Sequence, residues 1–333
     1  MNISQDSYAM ILLCSDLALR KSHNSIKPYT VVQWSKLAQK LLDRDMRPSV
    51  LFDISSSSIK NELGLDEVEI ERIERLLSFS GELGIELSSL NDQGIFPLTR
   101  ADKEYPMALR KKLKKKSPPV LFYAGNLSLL NNNGICIVGS RNIDQAGIDF
   151  TEILSRRCTN DGLNIVSGGA RGVDSIAENI ANSSEGTTII VLADSMSKKI
   201  RKKDTRDALL RKQSIILSTS RPDMHFQAYA AMDRNKYVYA LSDFAVVISS
   251  DYNKGGTWAG ATENLKNSWV PLFVRESEEI PEGNKKLLNY NQVHPITEDV
   301  LNGDLNMFDW FKNQSYQNEI VEEPQQMSIF EIY

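Results

Sequence analysis

The stretch Ile135-Cys136-Ile137-Val138-Gly139-Ser140-Arg141, followed by Asn164-Ile165-Val166-Ser167-Gly168-Gly169-Ala170-Arg171-Gly172-Val173-Asp174, decides the fold. Each half opens as an apolar run, as expected of a strand buried on both faces, and breaks off in serine, glycine and arginine. Between them residues 147–158 are apolar at helical spacing, and Asp161-Gly162 stops that helix. Strand, helix, strand predicts a parallel pair joined by a crossover.

The same alternation continues outward. A helix is expected over 173–182, a β-branched strand over 187–192, and apolar runs at 215–217, 244–248 and 270–274, with helices over 228–241 and 260–267. The expected fold is therefore α/β: a Rossmann-like domain with a mainly parallel sheet over 91–300. Upstream of it, residues 1–90 read as a small helical domain, with helical periodicity over 8–19, 31–42 and 68–77. Within that domain, residues 58–77 have the look of a helix, a glycine turn and a second helix. Such hairpins present backbone amides to a DNA phosphate in some proteins and merely pack in others. Proline-punctuated extended segments follow at 96–99, 105–106 and 118–125.

Composition narrows the class. The chain has 333 residues, 41% hydrophobic and 25% charged, values ordinary for a water-soluble globular protein. No apolar run approaches the ~18 residues of a membrane span, and the first twenty residues lack a basic leader, so a cytoplasmic protein with no membrane partner is expected. Cys14, Cys136 and Cys158 form no CxxC pair, and His23, His225 and His294 are dispersed, which excludes a disulfide framework or a recognisable zinc site. The net charge of −4 argues against wholesale coating of nucleic acid. Yet residues 110–116 (RKKLKKK) and 198–212 (KKIRKKDTRDALLRK) are strongly basic, and the last seventeen residues carry four glutamates and no lysine or arginine.

In a parallel α/β sheet, ligands bind beyond the carboxyl ends of the strands. There the chain offers Gly139-Ser140-Arg141, then Ser167-Gly168-Gly169-Ala170-Arg171, then Ser249-Ser250-Asp251 with Lys254-Gly255-Gly256-Thr257. Glycine admits close backbone approach, helix-start amides point at an anion, and arginine supplies a bidentate clamp. One such loop would be an ordinary turn; three at one sheet edge point to anion binding. No GxGxxG or GxxxxGK[ST] occurs, so neither NAD nor ATP is expected, and no cofactor is assigned.

These motifs, in this order, resemble the DNA-processing protein A (Smf) family. The resemblance covers roughly residues 92–275. It rests on Val138 to Arg141, Val166 to Asp174, the upstream run from Phe96 to Gly125, His225-Phe226, Arg234-Asn235-Lys236 and Ala240 to Asp243. It implies a non-catalytic protein that binds single-stranded DNA in a basic pocket, forms a homodimer and delivers the strand to a RecA-type recombinase. It implies that Ser140, Arg141, Ser167, Gly168, Gly169, Arg171, Arg234, Asn235, Lys236, Lys254, Gly255, Gly256 and Thr257 line the site. Phe226, Tyr229 and Tyr237 are the aromatic candidates for base stacking. The residues after the main domain are too few for the winged helix that many relatives carry. Transformation, recombination and phage defence are all compatible with such a site.

Two further readings complete the expectation. Gln326, Met327, Ile329 and Phe330 resemble the peptide by which bacterial proteins dock on the replication sliding clamp, within an acidic tail over 301–333. The alternative to DNA binding is a nucleoside-monophosphate phosphoribohydrolase, using Glu263 and the Gly255-Gly256-Thr257 loop to cleave a ribose–base bond.

Overall fold

The computed structural model describes residues 3–19 and 26–319. Its strands are β1 (Phe96–Thr99), β2 (Val120–Gly125), β3 (Gly134–Gly139), β4 (Asn164–Ser167), β5 (Thr188–Leu192), β6 (Ser214–Ser218), β7 (Phe244–Ser249), β8 (Leu272–Arg275) and β9 (Val293–Ile296). The helices are α1 (Gln5–Cys14), α2 (Val31–Leu42), α3 (Ser56–Leu63), α4 (Glu67–Leu77), α5 (Ser80–Asp92), α6 (Met107–Leu113), α7 (Gln145–Asn160) and α8 (Val173–Ser183). They continue with α9 (Met196–Lys199), α10 (Lys203–Leu210), α11 (Ala228–Ala240), α12 (Gly255–Asn267), α13 (Glu282–Leu288), α14 (Glu298–Asn302) and α15 (Met307–Glu319). The chain divides into two compact units, one of residues 1–132 and 188–241, the other of 133–187 and 242–333.

The second unit is the parallel α/β layer that the opening motif predicts. Its strands run in the order β4-β3-β7-β8-β9, every neighbour parallel. All six residues of β7 are buried, which is why its sequence is a continuous apolar run rather than an alternation. Helix α7 covers the sheet with Phe150, Leu154 and Cys158, and α8 with Val173, Ala177 and Ala181. Residues 307–319 also belong here. Phe311 of α15 is fully buried, stacked on Phe244 at 5.4 Å and edge-on to Phe273 at 4.7 Å. Arg157 holds the approach to α15 by donating to the carbonyls of Leu301, Gly303 and Leu305, while Asp161 accepts from the amide of Met307.

In the first unit two of the three proline-punctuated segments are strands, whereas Tyr105-Pro106 leads into α6 with Pro106 as its N-cap; β1 pairs antiparallel with β2 and β2 with β6, while β5 and β6 are parallel. One core joins the N-terminal helices to these strands. Trp34, Leu37, Ile73 and Leu76 share it with Val120, Phe122, Ile190 and Ile216. Caps fix the helix starts. Thr30 and Gln33 form a reciprocal capping box on α2, and Gly64 ends α3 at φ 59. The hairpin of α3 and α4 does not suit a phosphate. Asp66 already caps α4 through the Glu69 amide, and Glu67 and Glu69 make its first turn acidic.

Truncation of the buried aromatic on α15 tests how far the C-terminal helix supports the second unit. Phe311→Ala should cost about 3–5 kcal/mol, as large-to-small changes of buried aromatics do. Urea unfolding should show a lower midpoint; an unchanged midpoint would mean that α15 is dispensable.

Candidate nucleic-acid interface

The site-bearing loops of the second unit are shaped by two close backbone approaches. Gly139, the last residue of β3, lies so near α8 that a Cβ there would sit 2.4 Å from Val173 Cγ2. Gly172 has φ 79, and a Cβ on it would meet Ser140 O at 2.3 Å and Arg141 Cα at 2.7 Å. Only glycine satisfies both the left-handed backbone and the contact. The loop after β3 is tied on its other side by the Ser140 amide, which donates to Ser249 O at 2.9 Å. The three strand-end loops of β3, β4 and β7 are thus brought together, as the sequence leads one to expect.

The loop after β4 spends its amides internally. Asp174, 5% exposed, accepts through Oδ2 from the amides of Gly168 at 3.0 Å and Ala170 at 3.3 Å. Ser167 Oγ accepts from the Gly169 amide at 3.2 Å and donates to the buried carboxylate of Glu178. A carboxylate therefore occupies the place where an amide cradle would receive a phosphate. Ser167 and Gly168 are buried and build the turn, and Arg171 is exposed at its tip. Arg141 is exposed on the neighbouring loop.

The loop after β7 is clipped by Asn284. Its Oδ1 accepts from the Ser250 amide at 2.8 Å, and its Nδ2 donates to Ile248 O at 3.0 Å and Arg275 O at 3.2 Å. Helix α12 begins at Gly255, five residues earlier than its apolar periodicity indicates, so Gly255-Gly256-Thr257 is the first helical turn rather than a loop. Two glycines mask that turn from a propensity reading. Lys254 is its N-cap, and the lysine side chain makes no capping hydrogen bond. The arrangement supplies a helix start flanked by an exposed lysine, a geometry that favours an anion. Glu263 lies eight residues further along α12, about 12 Å at 1.5 Å per residue, and is exposed. Glu263 therefore stands about two turns along α12 from the Gly255-Gly256-Thr257 segment with which the phosphoribohydrolase reading groups it, and that reading is not favoured.

Sequence reasoning missed three residues here. Tyr252 and Trp258 flank the α12 start and meet edge-on at 5.0 Å, with Tyr252 44% exposed; their only sequence signal is that they bracket Lys254-Gly255-Gly256. Arg275 ends β8 with a side chain 1% exposed and lies 3.7 Å from Asp144, the N-cap of α7. Burial depresses the basicity of its guanidinium, partly offset by Asp144 and Glu298. A charged residue closing an apolar strand was the available signal for it.

In the first unit, Arg234, Asn235 and Lys236 are half-buried on α11. Lys236 pairs with Asp233 at 2.5 Å, so part of its charge is already neutralised. Phe226 and Tyr229 are exposed, at 53% and 71%, whereas Tyr237 is a core residue at 2%. Among the described residues, no group of three His, Cys, Asp or Glu is placed to hold a metal ion. No helix among them is long and apolar enough to cross a membrane. Gln326, Met327, Ile329 and Phe330 lie outside the described residues.

Comparison with known proteins follows this geometry. The model of the DNA recombination-mediator protein A family matches residues 97–298. The DNA processing protein DprA of Bacillus subtilis (strain 168) is 25% identical over 241 residues, 72% of this chain and 77% of that protein. Protein Smf of Escherichia coli (strain K12) is 28% identical over 140 residues, covering 41% of this chain and 37% of that protein. Among solved structures, DprA from Streptococcus pneumoniae superposes over 97% of this chain and 99% of its own, with TM-score 0.64 and 18% identity. DprA from Helicobacter pylori, whose structure is described for its single-stranded DNA binding mode, covers 65% of this chain and 97% of its own, with TM-score 0.54 and 26% identity. The Bacillus, Streptococcus and Helicobacter proteins are described as DNA-processing proteins.

The Gly172 contact gives a direct test of loop geometry. Gly172→Ala should lose about 1–3 kcal/mol from the strained φ alone, with the clash against Ser140 added. A urea midpoint equal to that of the parent protein would show that the two loops do not depend on this contact.

Proposed function

The chain belongs to the DNA recombination-mediator protein A family, and we propose that it binds single-stranded DNA through the strand-end loops of its second unit. The observation that carries this reading is the pair of exposed guanidinium groups, Arg141 and Arg171, on loops locked together by Gly172. Arginine offers a bidentate, permanently charged contact to a phosphate, and a fixed loop spends little entropy in presenting it. Lys254 and the start of α12 at Gly255, Gly256 and Thr257 add a second phosphate position through the lysine charge and the helix dipole. Ser140, Ser167, Gly168 and Gly169 contribute by shaping the loops. Tyr252 and Trp258 supply flat surfaces for bases beside these cations, where each stacked base is worth ~1–3 kcal/mol. Arg234, Asn235 and Lys236, on the first unit, are further proposed DNA contacts.

In the cell this activity would load or protect single-stranded DNA in recombination, transformation or phage defence, in the cytoplasm. The partners we propose are a second copy of the chain, a RecA-type recombinase and, through Gln326, Met327, Ile329 and Phe330, the replication sliding clamp. The clamp contact is checked by fluorescence titration of the purified clamp with the peptide of residues 320–333. Phe330→Ala in that peptide should abolish saturable binding.

The DNA reading is tested with a labelled ~30-mer of single-stranded DNA across a salt series. Wild type should bind, with log K falling as log salt rises. Arg171→Glu and Arg141→Glu should each weaken binding at least tenfold, since each puts a negative charge where a phosphate would sit. A wild-type protein indifferent to the oligonucleotide at low salt would refute the proposal.

A further inference from the structure

The two basic runs of the sequence have no role in the loops described above. Strand register locates both. Phe122 of β2 faces Ser218 of β6, and Thr99 of β1 faces Val120, so the segment between β1 and β2 emerges at the carboxyl end of β6. Leu192 of β5 also faces Ser218, so the segment leaving β5 starts at that same edge. The first segment carries 110–116 and the second carries 198–203, both within the first unit. The two segments that carry these runs, distant in sequence, therefore leave the sheet at one edge.

The first run is held rigidly. Ser117 is fully buried and donates from Oγ to Leu109 O at 2.7 Å, and Ser35 Oγ of α2 donates to Lys115 O at 2.7 Å. Lys114 has φ 51 and ψ −122, a conformation that glycine adopts readily and a lysine only under strain. Arg110 is consumed locally, donating to Arg100 O. That leaves Lys111, Lys114, Lys115 and Lys116 exposed. Among the described residues none of these four pairs with a carboxylate, whereas Lys60 and Lys286 elsewhere on the surface do, at 3.0 and 3.4 Å. No acidic residue occurs in 110–116, and Asp204 is the first after 198. A solvated face has no need of a strained, pinned backbone. An immobilised cation cluster is what a polyanion with regularly spaced charges requires.

We propose that the carboxyl edge of β5 and β6 is a second phosphate-tracking surface, formed by Lys111, Lys114, Lys115 and Lys116 with the 198–203 segment, along which the backbone of a longer nucleic-acid strand runs. That the polymer is DNA rests on the function proposed above; the surface itself rests on register, exposure and charge. The two phosphate-binding surfaces differ in kind. The strand-end loops of the second unit combine arginine with aromatic rings, while this edge offers charge alone and reads no bases. Its contribution should therefore be strongly salt-dependent and indifferent to sequence.

The experiment uses the full chain and single-stranded oligonucleotides of ~10 and ~40 nucleotides over a salt series. Two variants are compared with wild type: Lys111, Lys114, Lys115 and Lys116 all →Gln, and Lys198, Arg201, Lys202 and Lys203 all →Gln. Each should weaken binding of the long oligonucleotide about tenfold or more and lower the salt slope by ~0.7 for every phosphate that is no longer neutralised. Binding of the short oligonucleotide should stay within about twofold. Lys114→Gly, which relieves the backbone strain and keeps three lysines, should melt no lower than wild type and keep most of the long-strand affinity. Unchanged long-strand affinity and slope in both quadruple variants, with Arg171→Glu still defective, would overturn this surface and leave the main site standing. Loss of binding to phosphatidylserine vesicles with long-strand DNA binding intact would overturn it in favour of a membrane contact. Failure of wild type to bind either oligonucleotide would overturn both readings.

Discussion

The backbone contact between Gly172 and Ser140 is the constraint on which the site depends. It forces two loops from adjacent parallel strands, β3 and β4, to share one turn with no side chain between them. Everything nearby adjusts to it. Gly139 must lack a Cβ because Val173 follows directly on Gly172 and packs at β3, and the Ser140 amide then reaches Ser249 of β7. Three loops become one rigid platform, and Arg141 and Arg171 are carried on it rather than on free loops. Preorganised cations of this kind lose little entropy on binding an anion.

The platform is stiffened by buried charge. Asp174 and Glu178 project from α8 into the loop after β4, and Arg275 reaches from β8 to Asp144 at the start of α7. A buried carboxylate is tolerated where several donors converge on it, as the Gly168 and Ala170 amides do on Asp174. The consequence is functional. The amides of Gly168, Gly169 and Ala170 are satisfied from within, so at this loop the proposed contact to a polyanion falls to the guanidinium group of Arg171. The glycine-rich motif shapes the loop backbone, and its amides bond within the loop.

Much of this architecture was legible beforehand. The parallel layer followed from apolar runs ending in glycine and serine, because a strand covered on both faces cannot alternate and must change character where it meets solvent. The antiparallel strands β1 and β2 were legible as extended segments but not as part of a shared core with the N-terminal helices. That core depends on Trp34 and Ile73 meeting Phe122 and Ile216, contacts between residues far apart in the chain. The early start of α12 was hidden because glycine carries no helical signal of its own. Helix α15 was hidden because Phe311 gains its meaning only against Phe244 and Phe273.

The sequence by itself determined the fold class, the family and the strand ends at which the proposed site lies, because all three are written in local order: periodicity, motif succession and the residues that punctuate it. Tertiary structure alone decided which of those residues are buried, exposed or satisfied from within. It turned Gly168 and Gly169 into scaffolding by aiming Asp174 and Ser167 at their amides, and placed Glu263 well along α12 from the loops it was grouped with. It also brought the two segments that carry the lysine runs out at one sheet edge through the register of β2, β5 and β6. The physical reason is that hydrogen-bond satisfaction and charge convergence are properties of packed neighbours, and a chain acquires its distant neighbours only when it folds.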